Sequence, residues 1–125
     1  MKKVLALGLG GFIGSNLRYF ITLATHNVFG NKFPYGTFAV NILGCFLLGF
    51  LAIFGKEVVD LSPNTRLLLG TGMMGALTTF STFSYETFSL MKQSHYKLAF
   101  ISIAANLLIG LLAVWCGLEL AKKFI

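Results

Sequence analysis

Carboxylates are the scarcest functional groups in this chain, with four Asp and Glu among 125 residues. Glu57, Asp60, Glu86 and Glu119 share no obvious helix face. Paired-carboxylate acid–base chemistry and carboxylate metal centres therefore lack material. Histidine and cysteine are as thin, with two of each. His26 and His95 fall in expected connectors. Cys45 and Cys116 lack metal-ligand spacing and read as small packing residues. No enzyme is expected from this inventory. Charge of either sign is rare too, at 11% of residues, against about 25% in a soluble domain. The net charge of +6 comes from residues flanking apolar segments. Attraction to anionic lipid explains it, and no nucleic-acid partner is expected.

What the chain has in abundance is apolar sequence, 56% of residues, with a mean hydropathy of +0.80. Four windows carry it. Residues 4–23 are interrupted only by Arg18, and 33–55 hold no charge between Lys32 and Lys56. Residues 67–90 contain only Glu86, and 98–118 contain none. A helix needs roughly 20 residues to cross the roughly 30 Å hydrocarbon core, and each window fits. The expectation is one all-α membrane domain over residues 1–125, with spans at about 4–23, 35–54, 67–90 and 98–118. The first window is long for a leader core, carries Arg18 and lacks a small-residue cleavage site, so it is read as a span.

Flanking charges barely choose an orientation. Lys2, Lys3, Lys56, Arg66, Lys122 and Lys123 fall on one side; Lys32, Lys92, Lys97 and a snorkelling Arg18 fall on the other. Six against four is a weak positive-inside bias. Counts alone favour an ordinary protein with its termini inside, and insertion in both orientations is the second reading.

Polar side chains inside the spans are the informative feature. Residues 75–85 read G-A-L-T-T-F-S-T-F-S-Y, which sets Thr78, Thr79, Ser81, Thr82 and Ser84 in hydrocarbon. Hydrocarbon offers no water to hydroxyls, so they pack between helices or line a wet or ionic path. Thr37, Asn41 and Gly44 form a stripe on the second span, and Ser102, Asn106 and Gly110 form one on the fourth. Taken singly, such groups are interhelical glue worth about 0.6–2 kcal/mol. Together they supply N–H and O–H donors with no carboxylate at the span centres, which suits a small anion. Phe80 and Phe83, about 60° apart on a helix, can turn electropositive ring edges toward it.

Gly10 and Gly14 form a GxxxG, shadowed by Gly11 and Ser15, while Gly70, Gly72, Gly75 and Ala76 punctuate the third span. Small residues let backbones approach closely in lipid. Gly75, Thr78 and Thr79 mark a candidate break whose freed carbonyls a cation would satisfy. Four spans enclose a pore poorly, so a homodimer is expected.

Three segments then resemble one family, the Fluc (CrcB) fluoride channels. They are G-G-F-I-G-S-N-L-R-Y at 10–19, G-T-F-A-V-N-I-L-G at 36–44 and G-A-L-T-T-F-S-T-F-S at 75–84. The resemblance covers essentially the whole chain. It implies an antiparallel, dual-topology homodimer in the cell inner membrane, with two pores that export fluoride passively and protect the cell from its toxicity. Phe80 and Phe83 resemble the family's paired phenylalanines, and Asn41 its pore-lining asparagine. Ser81, Thr82, Thr37, Ser102 and Asn106 complete the expected polar track. Arg18 and Glu86 are assigned to the vestibule, although Glu86 also suits a carboxylate snorkelling to the interface. The backbone carbonyls of Gly75 and Thr78 resemble those that hold a structural sodium ion between subunits. The fourth-span stripe departs from the family, whose track there often carries tyrosine and serine. Two other classes remain. A proton-coupled multidrug antiporter of this size needs a carboxylate in its first span, which is missing. A noncatalytic assembly subunit leaves the third-span hydroxyls unexplained.

Overall fold

Residues 1–125 are described by a computed structural model in which helices joined by short connectors account for the fold, without strands. Helix α1 is Lys2–Phe29. It runs past the apolar window, because hydropathy tracks bilayer thickness and not the end of the hydrogen-bond ladder. Polar residues continue it, with Thr25 turning its hydroxyl back to the Ile21 carbonyl at 2.9 Å. His26 therefore sits in the last helical turn and not in a connector. Gly30 stops the helix with φ 74°, a conformation that costs glycine little.

Pro34 precedes α2, Tyr35–Val58, whose last turn, Phe54–Val58, is π-helical. Ser62 then caps the next helix, its hydroxyl accepting the Thr65 N–H at 3.2 Å, with Pro63 at the first helical position. This helix, α3, spans residues 63–77 and is largely π-helical between Leu67 and Met74. Thr78 and Thr79 are extended, with ψ 156° and 114°. Helix α4, Phe80–Lys92, resumes on the far side of them. Helix α5, Tyr96–Lys122, has a π turn at Ala105–Ile109. Three helices, α1, α2 and α5, are each long and apolar enough to cross a membrane. The fourth crossing is α3 and α4 together, broken near its centre. The chain is a multi-pass membrane protein.

Glycines set the helix crossings. A Cβ on Gly72 of α3 would lie 3.0 Å from Gly10 Cα and from the Leu7 carbonyl of α1. Gly14 is just as tight against Met73 and Leu77. Gly49 of α2 faces Val114 of α5, and a Cβ on Gly117 would meet Phe50 N at 2.8 Å. Lipid provides no hydrophobic drive between helices, so close backbone packing holds them. Gly11 is open, and Ser15 bonds its own helix at the Gly11 carbonyl (2.8 Å). Only one of the two small-residue pairs on α1 is therefore a contact. Cys45 is half-buried beside Gly110, but Cys116 is exposed and not packed. It lies off the Gly110, Ala113 and Gly117 face that α5 buries. The interior is thin. Val40, Met74 and Leu77 form its core, and only 20 of 125 residues are buried.

Candidate functional site

Unwinding two residues inside a bilayer strands backbone groups that no water can satisfy. Here side chains from neighbouring helices take them up. Asn41 of α2 accepts the Thr79 N–H through Oδ1 at 2.8 Å and donates through Nδ2 to the Thr79 carbonyl at 3.3 Å. Among neutral side chains a carboxamide offers a donor and an acceptor in this pairing. Thr79 is in turn the N-cap of α4, its Oγ1 accepting the Thr82 N–H at 3.1 Å and donating to Thr82 Oγ1 at 2.9 Å. Ser81 Oγ lies 3.3 Å from the same oxygen.

Those bonds leave two carbonyls short. An unbroken helix would send the Thr79 N–H to the Gly75 carbonyl and the Thr82 N–H to the Thr78 carbonyl. Both donors are diverted, to Asn41 and to Thr79 Oγ1. The Gly75 and Thr78 carbonyls thus lack their helical donors. No three His, Cys, Asp or Glu side chains gather closely enough to hold a metal ion.

Beside the break lies an open groove of about 960 Å³ between α2, the two halves of the third crossing and α5. Asn41, Gly75, Thr78, Thr79, Phe80, Phe83 and Asn106 all line it. The Phe80 and Phe83 rings have centroids 5.6 Å apart at 53°. Phe83 is half-buried, whereas Phe80 is 80% exposed and has no wall on its outer side. Asn106 Oδ1 accepts from Asn41 Nδ2 at 3.0 Å, and Asn106 Nδ2 donates to the Ser102 carbonyl at 2.9 Å.

A second cavity of about 770 Å³ opens at one end, lined by Thr37, Glu86, His26, His95, Lys32 and Tyr85 among others. Glu86 does not reach outward to the interface. It is half-buried beside Thr37, and its Oε2 is enclosed without a hydrogen-bond partner. The α2 stripe thus serves two spaces, Thr37 at the end cavity and Asn41 at the groove.

The remaining named residues lie elsewhere. Ser102 is fully buried, with its hydroxyl 3.3 Å from Thr87 Oγ1 between α5 and α4. Ser81 and Thr82 are exposed on the first turn of α4, and Arg18 is half-buried on α1 without a carboxylate partner. None of these four lines either cavity. Sequence reasoning passed over Thr87, one helical turn past Phe83, whose spacing was the available signal. It also missed that His26 and His95 line the same end cavity as Glu86, because spacing along one helix does not show which ends come together.

Residues 5–118 match the family model described as CrcB-like protein, Camphor Resistance (CrcB). Among curated relatives, a Clostridium perfringens protein named fluoride-specific ion channel FluC is 48% identical over 97% of this chain and 96% of its own length. Proteins of the same name from Shewanella pealeana and Dehalococcoides mccartyi are 47% and 45% identical. The alignments cover 96% of this chain and 96% of the Shewanella protein, and 98% of this chain and 94% of the Dehalococcoides protein. This chain, with its interrupted third crossing and the Asn41 bridge across it, belongs to the CrcB family.

Proposed function

We propose that this protein is a fluoride-selective ion channel that lets fluoride leave the cell passively. The observation that carries the reading is the groove at the break, free of carboxylates and bordered by Asn41, Asn106 and the Phe80 and Phe83 rings, in a chain whose relatives bear the channel's name. Fluoride gives up its water only where short hydrogen bonds replace it. For the polar track, Thr37 offers its hydroxyl at the end cavity, Ser81 and Thr82 offer theirs from the exposed first turn of α4 to a path that a second subunit would complete, and Ser102 lies buried against Thr87. Phe80 and Phe83 turn electropositive ring edges to the ion. Asn41 and Asn106 border the path. Neither the multidrug antiporter nor the assembly subunit is favoured by these relatives.

The working unit is an antiparallel homodimer in the cell inner membrane, with two pores. The groove's open side and the exposure of Phe80 support it, since one subunit leaves the path unwalled. Near-balanced flanking charge suits insertion in both orientations. A sodium ion held by the Gly75 and Thr78 carbonyls of both subunits fits the two carbonyls deprived of their helical donors, and would satisfy their oxygens at the dimer centre. Arg18 and Glu86 belong to the vestibule, where charge sets the local ion concentration. Halide flux from liposomes containing only this chain tests the reading, with fluoride passing and chloride retained.

A further inference from the structure

We propose that Asn106 is a positioning residue: its side-chain oxygen orients the Asn41 carboxamide across the broken backbone, and it acts on ion passage only through Asn41. The consequence for transport rests on the channel reading above; the geometry stands apart from it.

A carboxamide has two orientations of similar shape, with oxygen and nitrogen exchanged. Asn106 is fixed first. Its Nδ2 donates to the Ser102 carbonyl one turn back at 2.9 Å, which leaves Oδ1 facing α2. That oxygen accepts from Asn41 Nδ2 at 3.0 Å, so a flipped Asn41 would set oxygen against oxygen. With nitrogen held on this side, Asn41 Oδ1 faces the Thr79 N–H at 2.8 Å and Nδ2 also reaches the Thr79 carbonyl at 3.3 Å. Both Nδ2 hydrogens are then committed, one to Asn106 and one to Thr79. Asn41 borders the groove but has no free N–H to give an ion. Its contribution is to fix the Thr79 peptide, and through the Thr79 cap the start of α4 that carries Phe80 and Phe83.

The decisive probe is amide hydrogen exchange at Thr79 in full-length, ¹⁵N-labelled protein. Asn106→Asp, held protonated within the membrane, keeps one oxygen toward Asn41 and can donate its O–H to the Ser102 carbonyl in place of Nδ2, and is expected to leave Thr79 protected as in the wild type. Asn106→Leu keeps the shape without the oxygen and is expected to speed exchange at Thr79 about tenfold, the scale of one lost hydrogen bond. Exchange at Thr78, whose N–H bonds Met74, is expected to stay unchanged. Asn106→Ala is the second variant should leucine crowd the site. In liposomes, Asn106→Leu is expected to lower fluoride flux about tenfold on the same scale. Adding it to Asn41→Ala is expected to cost nothing further. Unchanged Thr79 exchange in both Asn106→Leu and Asn106→Ala, or additive flux losses, would overturn the proposal. Wild-type vesicles that pass no fluoride would overturn the channel reading instead, and the exchange result would still decide the clamp.

Discussion

Asn41 of α2 and Thr79 of the third crossing pair as two strands of a sheet would, side-chain amide against backbone, at 2.8 and 3.3 Å. One side chain thereby satisfies both polar groups of a residue that has left the helix. The broken crossing is stable in lipid for that reason.

Thr79 is the other half of the arrangement. Thr79→Val keeps the shape and removes the N-cap, which is expected to cost about 0.5–2 kcal/mol. Amide exchange should report it as faster exchange at Thr82, with the middle of α4 unaffected. Equal protection at Thr82 in wild type and variant would refute the cap.

The small residues on α1 divide sharply by face. Gly14→Val drives a side chain into the Met73 backbone and should destabilise the protein by about 1–3 kcal/mol or more. A Cβ at Gly11 meets nothing within 4 Å, so Gly11→Ala should be nearly neutral. Thermal unfolding in detergent compares them, and equal melting temperatures would contradict the packing of α1 on α3.

Phe80 and Phe83 are proposed to contact the ion with their edges, which an aliphatic chain lacks. Phe80→Ile and Phe83→Ile should each suppress fluoride flux while oligomer size on gel filtration stays the same. Wild-type flux in both variants would remove the aromatic role.

The sodium proposal is independent of flux. An experimental density map of the dimer should show an ion between the Gly75 and Thr78 carbonyls of the two subunits. Carbonyls paired with water or with other backbone groups there would count against it.

Much of this arrangement is legible in the sequence because membrane spans have few ways to form. Apolar length located the helices, and Gly75 with the two threonines located the break. Gly10 and Gly14 announced the α1 contact, whereas the Ser102 and Asn106 side chains do not bond each other: Asn106 Nδ2 takes the Ser102 backbone carbonyl and the Ser102 hydroxyl meets Thr87. The rest depends on how helices rotate against one another, which spacing along one helix does not encode. Glu86 turns inward to Thr37 although its sequence position suits the interface equally well. Ser102 meets Thr87, and Thr37 opens onto a different space from Asn41, one turn away. The fold also leaves Phe80 exposed, a placement that spacing along the helix does not encode.

The central claim is that fluoride crosses beside the break. Efflux of fluoride and of chloride should be recorded with ion-selective electrodes from liposomes holding only this purified chain. The account predicts rapid, electrogenic fluoride release with chloride nearly retained. Fluoride release no faster than from protein-free liposomes, or equal release of both halides, would contradict it.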